Sequence, residues 1–338
     1  MWRFIRLTFN NKNDYIMKKY FFIPLLTMLL AWPTPATGKA LAGDIDKNGR
    51  IDIADVTMLI DYLLSSEETV EMAVCDLDGN GNVGIEDVTM LIDMLLNPAP
   101  PQTDSETITV NGVQFTMVRV EAGTFMMGAR ADETAYASRN EFPSHEVTLT
   151  YDYYIAQTEV TWELYLAVTE GDPASFEGDL TAPVTNVNLF DCAKFVDKLT
   201  ELTGHVFRMP TEAEWEFAAR GGNSSLGYLF AGSDDIDEVA WYVDNAAGNM
   251  QPVATKAPNE LGLYDMSGNA MEWCQDWYVS YSSEPQINPI GPESGLTNVY
   301  RGGSAESPAM GCRITVRGSL DPHERWAAMG FRIVMNCE

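Results

Sequence analysis

The 338-residue sequence has few basic residues, few histidines and few cysteines. It contains 21 lysines and arginines against 49 aspartates and glutamates, which gives a formal net charge of -28. A field of that sign repels phosphate, so the composition disfavours binding to nucleic acid or to anionic membranes and favours cationic partners. The hydrophobic share of 46% is typical of a globular protein and predicts a packed core.

The three histidines are too scattered to suggest a metal site. His145, His205 and His323 show no i, i+4 pairing, so we interpret them as separate polar residues. The sequence also contains no phosphate-binding loop, no nucleophile elbow and no dinucleotide-binding glycine pattern. Nucleotide-dependent and serine-hydrolase chemistries are therefore not indicated.

The cysteines form an odd and sparse set: Cys75, Cys192, Cys274, Cys312 and Cys337. At least one thiol must stay unpaired within the chain. Cys192 shares helical spacing with Phe195, Val196 and Leu199, which predicts a small buried residue. Whether Cys274 and Cys337 pair with anything stays open.

The N-terminal segment predicts an export signal. The basic Met17–Lys19 stretch precedes an apolar run too short to cross a bilayer comfortably, and small residues near Ala40 and Ala42 suit cleavage. We expect residues 1–42 to be a signal peptide, with Met17 as an alternative start, and an uncleaved anchor helix is the competing interpretation. Export predicts a secreted, periplasmic or cell-surface protein that is not held in a membrane after cleavage.

An internal duplication follows the signal. The stretch Asp44–Leu64 returns as Asp76–Leu96, and both copies contain the letters DVTMLID. Self-similarity of this kind indicates a duplicated supersecondary unit. In each copy an apolar stripe at i, i+3, i+4, i+7 and i+8 predicts one helix that could bury its stripe against the other. The stripes are Val56, Leu59, Ile60, Leu63 and Leu64 in the first copy, and Val88, Leu91, Ile92, Leu95 and Leu96 in the second.

Each copy opens with a twelve-residue loop that has the ligand spacing of an EF-hand-like calcium site. Carboxylates held this close repel one another, so the loop should close only around a divalent cation. Oxygen ligands without thiolate or imidazole select Ca2+. The predicted ligands are Asp44, Asp46, Asn48, the Arg50 carbonyl and Asp55 in the first loop, and Asp76, Asp78, Asn80, Asn82 and Asp87 in the second.

Residues 43–97 resemble the dockerin type I module, because each loop ends in Asp rather than Glu and a single helix follows it. The resemblance implies a small all-α, calcium-dependent docking module for a cohesin-like receptor or another extracytoplasmic protein. Such modules are typical of secreted polysaccharide-degrading systems. The alternative is that the two loops only stabilise an N-terminal domain.

A proline-rich linker at residues 98–107 precedes a second domain at residues 108–338. This part of the sequence has short β-rich runs, many turns and few helices. One helix is well marked, because Thr211 and Glu214 fit a capping box and Gly221 fits a C-terminal cap.

Seven motifs occur in order between about residues 112 and 335: EAGTFMMG, EVTWELYLAV, PVTNVNLFDCAKF, RMPTEAEWEFAARGG, NELGLYDMSGNAMEW, RGGS and GFRIV. In this order they resemble the formylglycine-generating enzyme family, also called the sulfatase-modifying factor family. The resemblance implies an irregular α+β fold of the C-type-lectin-like group. It also implies a sulfatase, or another protein or peptide, as ligand.

In the enzymes that name this family, two cysteines bind Cu(I), activate O2 and oxidise a sulfatase cysteine to formylglycine. Counted from Gly302–Ser304, the two positions hold Ser307 and Cys312, and an alignment on the arginines that follow places them at Ser304 and Ala309. The copper site is incomplete on either alignment, because soft Cu(I) needs both thiolates. We therefore expect an accessory or binding module. The alternative is an oxidase that modifies exported sulfatases through Cys312, with Ser307 at the second position.

The resemblance also implies one calcium site in the large domain. Gly268 and Ala270 would offer carbonyls, and Asn269 and Glu272 would offer side-chain oxygens. The alternative is that Asn269 and Glu272 only brace the turn. A second family site maps near Trp241–Asn245, where the match is too poor to name ligands. Apolar residues replace the cysteines of two family disulfides and predict core packing there: Val196, Ala219, Ile314 and Ile333.

Overall fold

The computed structural model describes residues 42–47, 51–65, 71–96, 104–171 and 177–337. These residues form two compact units, one within residues 42–96 and one within residues 104–337. Residues 1–41 of the expected signal peptide, most of the expected linker and the predicted ligands Asn48 and Arg50 lie outside the described residues. None of the helices that the structure describes is both long enough and apolar enough to span a bilayer.

The small unit contains three helices within its described residues: α1 (Ile53–Ser65), α2 (Met72–Cys75) and α3 (Ile85–Leu96). The duplicated apolar stripes predict α1 and α3, whereas the one-turn α2 has no such signal. Both copies contribute to one core, which contains Ile45, Val56, Leu59, Val74, Cys75, Val88 and Leu91.

The buried stripe on each helix is narrower than the sequence pattern predicts. Ile60 and Leu64 on α1 are 38% and 81% exposed, and Ile92 on α3 is 40% exposed. The prediction that the whole stripe is buried is therefore wrong for these residues. Positions i+4 and i+8 lie at the side of the helix, where a single packing partner does not cover them.

Within its described residues, the large unit is an α+β domain, as the family resemblance implies, with three small sheets. The first sheet contains β1 (Ser105–Val110), β2 (Val113–Val120), β5 (Tyr153–Ala156), β6 (Phe207–Arg208) and β12 (Val334–Asn336), in the order β1-β2-β5-β12-β6. The second contains β7 (Met271–Trp277), β9 (Asn298–Arg301), β10 (Arg317–Leu320) and β11 (Met329–Gly330), in the order β10-β9-β7-β11. The third contains β3 (Gly123–Met127), β4 (His145–Leu149) and β8 (Gln286–Ile287), in that order.

The described residues of this unit also include α4 (Trp162–Thr169), α5 (Leu189–Thr203), α6 (Glu212–Ala219) and α7 (Ile236–Val239). The capping box predicted for α6 is present, because Thr211 and Glu214 exchange hydrogen bonds between side chain and backbone. Gly221 follows the helix with a φ of 90°, a conformation that glycine adopts without steric cost.

Two apolar cores hold the large unit together. Cys192 is fully buried on α5 beside Phe195 and Leu199, as its spacing predicts. The positions of the family disulfides are also apolar core: Val196 and Ile333 lie in one core, and Ala219 and Ile314 lie in the other.

Candidate functional site

The candidate site is the loop of residues 302–316 between β9 and β10, where the resemblance places the two metal-binding positions. The two strands are antiparallel neighbours, so the loop leaves and re-enters the sheet at the same end. Gly303 has a φ of 72°, and a Cβ there would lie 2.6 Å from the Gly311 carbonyl oxygen and 2.9 Å from the sulfur of Cys312. Only glycine permits so close an approach of the two limbs of the loop.

Cys312 is fully buried at the end of a short 3₁₀ helix, Ala309–Cys312. It belongs to an apolar cluster with Phe230 and Tyr242. Its sulfur lies 3.9 Å from the carbonyl oxygen of Ser304. Burial raises the pKa of the Cys312 thiol to about 12. Both nucleophilic attack and metal binding need the thiolate, so this environment makes Cys312 inert.

The two serines of the loop bond to each other. The Ser304 backbone N–H donates to Ser307 Oγ at 3.0 Å, and the two hydroxyl oxygens lie 3.2 Å apart. The positions that the two alignments give for the copper ligands therefore offer one buried thiol, two serine hydroxyls and the methyl group of Ala309. Hydroxyl groups do not replace thiolate for Cu(I), so the residues present do not fit a two-thiolate copper site.

Three arginines in and beside this loop connect it to buried carboxylates from distant parts of the chain. Two of these carboxylates, Glu212 and Glu216, lie on α6, whose residues are all buried. Buried carboxylates need cationic partners. The pairs are Arg301 with Glu216, Arg313 with Glu133 and Glu141, and Arg317 with Glu212.

Of the predicted large-domain calcium ligands, Gly268, Asn269 and Ala270 lie in the buried turn before β7, and Glu272 lies at the start of β7. Glu272 and Arg332 are both fully buried and form an ion pair. Glu272 Oε2 accepts hydrogen bonds from Arg332 Nε and Trp215 Nε1, both at 2.6 Å, and Oε1 accepts one from Arg332 Nη2 at 2.6 Å. A guanidinium thus supplies the positive charge that the resemblance assigns to calcium.

Asn269 and Ala270 bind a second buried carboxyl group. Asn269 Nδ2 donates to Glu159 Oε2 at 3.1 Å, and the Ala270 N–H donates to Glu159 Oε1 at 2.8 Å. Asn269 Oδ1 accepts from the Gln251 N–H at 2.9 Å. Burial and the neighbouring negative charges of Asp265 and Glu272 raise the pKa of Glu159. These contacts favour a bracing role for Asn269 and Glu272, and the calcium site at this turn stays a prediction.

In the small unit, the aspartates of each predicted calcium loop are brought together. Their carboxylate oxygens lie within 4.8 Å of one another in two groups: Asp44, Asp46 and Asp55, and Asp76, Asp78 and Asp87. Clustered hard oxygen donors of this kind fit Ca2+. Within the described residues, these are the two groups of three or more histidine, cysteine or carboxylate side chains that could hold a metal ion.

The last aspartate of each loop also ties the loop together. Asp87 is fully buried and accepts backbone hydrogen bonds from Leu77 at 2.7 Å, Asp78 at 3.3 Å and Gly84 at 2.7 Å. Asp55 accepts the corresponding three bonds in the first loop.

The remaining predicted ligands of the second loop, Asn80 and Asn82, are exposed. The Asn80 N–H donates to Asp78 Oδ1 at 2.9 Å, and the Asn82 N–H donates to Asn80 Oδ1 at 2.8 Å. These bonds curl the loop around its oxygen atoms.

The histidines lie apart, as the sequence predicts. The Nδ1 atom of buried His145 lies 3.2 Å from the Pro143 carbonyl oxygen, and His323 is exposed beside Asp321. His205 lies 3.9 Å from Glu106.

Residues 102–337 match the sulfatase-modifying factor enzyme 1-like domain family. The chain belongs to this family. Residues 42–96 match the dockerin type I domain, and such domains bind calcium and cohesins. Both matches agree with the resemblances read from the motifs.

The chain is similar to a bacterial chaperone and to a family enzyme. It is 29% identical over 268 residues to Chaperone protein LppX of Paenibacillus barcinonensis, a match that covers 64% of this chain and 88% of that protein. It is 32% identical over 181 residues to the formylglycine-generating enzyme of Streptomyces coelicolor, covering 48% of this chain. That match spans 55% of the length of the enzyme.

Among solved structures, the fold is similar to that of Treponema denticola variable protein 1. The TM-score is 0.62 at 30% identity, and the match covers 69% of this chain and 99% of that chain. This similarity supports the α+β fold of the large unit.

Proposed function

We propose that this is a secreted calcium-binding protein whose sulfatase-modifying-factor-like domain acts as an accessory or binding module. The dockerin-like repeats would attach it to an extracytoplasmic receptor. The observation that carries the proposal is the state of Cys312, a buried thiol of raised pKa, together with the serine hydroxyl that stands at the second ligand position. A fold persists across functions, whereas the residues of the site decide the chemistry.

The second candidate is an oxidase that acts on exported sulfatases through Cys312. Its support is the 32% identity to a formylglycine-generating enzyme. The test incubates the full chain with Cu(I), O2, a thiol reductant that supplies the two further electrons needed to reduce O2, and a cysteine peptide of sulfatase sequence, and measures peptide aldehyde by mass spectrometry. We expect no aldehyde above the level of a Cys312→Ser variant. Aldehyde formation that requires Cys312 would overturn the proposal.

Docking through the repeats is supported by exposed apolar side chains at matched positions of both copies. Ile53 and Ile60 on α1 are 72% and 38% exposed, and the equivalent Ile85 and Ile92 on α3 are 64% and 40% exposed. These isoleucines contribute little to the core of the small unit. Packing of the core therefore does not explain why both copies have isoleucine at these positions. Large apolar side chains that stay exposed at matched positions support a role in protein interaction.

A binding experiment with an immobilised cohesin domain tests this docking. We expect the full chain to bind in calcium and to dissociate in a chelator, because the loops need the cation to hold the helices. The Ile60→Asp/Ile92→Asp variant should bind at least about tenfold more weakly, as charge replaces buried apolar contact. Met72→Asp on α2, where Met72 is 43% exposed, is the matched control and should bind normally.

Two results would speak against docking. If the chain does not bind a cohesin in calcium, the loops serve only to stabilise the small unit. If Met72→Asp weakens binding as much as the double variant does, the surface on α1 and α3 is not the contact.

A further inference from the structure

One cavity of the large domain differs from its neighbours in the charge of its lining. It has a volume of about 350 Å³ and lies between β2, the segment that follows β5, and the start of α4. No lysine, arginine or histidine lines it among the described residues. Four other cavities of the described residues each include an arginine, which is Arg119 in two of them and Arg317 or Arg208 in the others.

The lining of this cavity combines neutral hydrogen-bonding groups with an apolar surface. The apolar part includes Phe115, Val160 and Ile333. Amide and hydroxyl side chains both donate and accept hydrogen bonds. The polar groups are Gln114, Thr116, Gln157, Thr158, Thr161 and Thr181.

Five of the six polar side chains already make one hydrogen bond within the domain: Gln114, Gln157, Thr158, Thr161 and Thr181. Gln157 Nε2 donates to the Gly262 carbonyl oxygen at 3.2 Å, and Thr161 Oγ1 caps α4 by accepting from the Leu164 N–H. The hydroxyl of half-buried Thr116 has no hydrogen-bond partner within the part of the chain that the structure describes. A bound ligand could therefore form a new hydrogen bond with the Thr116 hydroxyl without displacing an existing one.

The two carboxyl groups of the cavity do not make it a cation site. Glu159 lies at its base, where Asn269 and Ala270 donate to its two oxygens. Glu159 is buried, and both of its oxygens are already used by these bonds. Glu163 is exposed at the rim and remains in contact with water.

We propose that this cavity binds a neutral polyhydroxylated molecule of about monosaccharide size. Its volume is at the small end of the range of roughly 300–1,000 Å³ found for ligand cavities. Hydroxyl groups on the ligand match the amides and threonines, and its C–H surface matches Phe115 and the aliphatic side chains. An anionic ligand would lose its hydration without meeting a cationic partner. This inference rests on the proposed binding role and gives it a ligand class.

The test measures binding to the full chain by calorimetry. The probes are neutral hexoses and hexitols, and the hexuronic acid and hexosamine of matching stereochemistry. We expect at least one neutral probe to bind, the corresponding hexuronate to bind at least about tenfold more weakly, and the hexosamine to bind no more tightly. Thr116→Val keeps the side-chain shape and should weaken binding about tenfold, since one hydrogen bond is lost.

The matched control is Thr107→Val. Thr107 is the cross-strand partner of Thr116 on β1 but does not line the cavity, so its substitution should leave the affinity unchanged. The inference is overturned if no neutral probe binds, if Thr116→Val binds as the wild type does, or if only the hexosamine binds. Binding of an uncharged peptide instead of the sugars would also overturn it. The proposed function fails by a different result, Cys312-dependent aldehyde formation, so the two failures are distinguishable.

Discussion

At the residue scale, the five cysteines differ in whether solvent reaches them. Cys75, Cys192, Cys274 and Cys312 are buried, whereas Cys337 is exposed. The sequence identified Cys312 by its distance from Gly302 and Gly303. It could not show that Phe230 and Tyr242, more than sixty residues earlier in the chain, cover the thiol.

Thiol labelling distinguishes a buried Cys312 from a reactive one. We expect a thiol reagent to modify one cysteine per native chain and all five after denaturation, because buried thiols of raised pKa react slowly. Cys337→Ser should abolish the native reaction, and Cys312→Ser should leave it unchanged. Rapid native labelling that disappears in Cys312→Ser would contradict the burial of this thiol.

Asp276 on β7 provides a pH test of the buried charges. Burial and the negative charges of Glu212 and Glu214 raise its pKa from 3.8 to about 7. The folded protein therefore holds a proton that the unfolded chain has released, and its stability falls as the pH rises from about 4 to about 7.

We expect Asp276→Asn to gain stability relative to the wild type by about 2 kcal/mol between pH 5 and pH 8. The variant keeps an oxygen to accept the Glu212 N–H, which bonds Asp276 Oδ2 at 2.9 Å. Urea denaturation of both proteins at the two pH values measures the difference. A difference that does not change with pH would show that Asp276 is not the titrating group.

At the scale of elements, the sequence predicted those features that depend on residues close together in the chain, such as helix caps and the buried faces of helices. The capping box of α6 and the buried face of α5 around Cys192 both follow from spacings of a few residues. The pairing of Glu272 with Arg332 joins residues 60 positions apart, and that of Glu216 with Arg301 joins residues 85 positions apart. No local pattern contains such pairs, so Arg332 could not be identified from the sequence as the partner of Glu272, and the family resemblance suggested calcium instead.

Glu272→Gln separates the bracing role from calcium binding. We expect it to destabilise the large domain by about 3–5 kcal/mol, because Arg332 is left buried without a counter-charge. The loss should be the same in calcium and in a chelator, as measured by chemical denaturation. The paired variant Glu272→Leu/Arg332→Met should recover part of it. A loss that is present only in calcium would show that Glu272 is a calcium ligand.

At the scale of the whole molecule, the chain combines two compact units with different sources of stability. The large unit has two extensive apolar cores and buried ion pairs. The small unit has a core of a few side chains and two groups of three aspartates. The duplicated loops predicted the small unit, and the order of the seven motifs predicted the large unit. The sequence could not show which apolar residues of the small unit stay exposed, because that depends on how α1 and α3 pack.

Calorimetry of the full chain in calcium and in a chelator tests this division. We expect two unfolding transitions, of which the chelator lowers only the one from the small unit, because its aspartates repel one another without a cation. Asp78→Asn should lower the same transition, which assigns it. If the chelator leaves both transitions unchanged, the aspartate groups do not bind calcium, and if it lowers both, the large unit binds calcium as well.

A Cu(I) titration tests most directly whether the family's copper chemistry survives in this protein. The full-length protein and Cys312→Ser are titrated with Cu(I) in the presence of a competing chelator. Because a buried thiol and a serine hydroxyl stand at the two ligand positions instead of two thiolates, we predict that the two competition curves coincide. Binding at least about tenfold tighter in the wild type than in the variant would contradict this account and would identify Cys312 as a copper ligand.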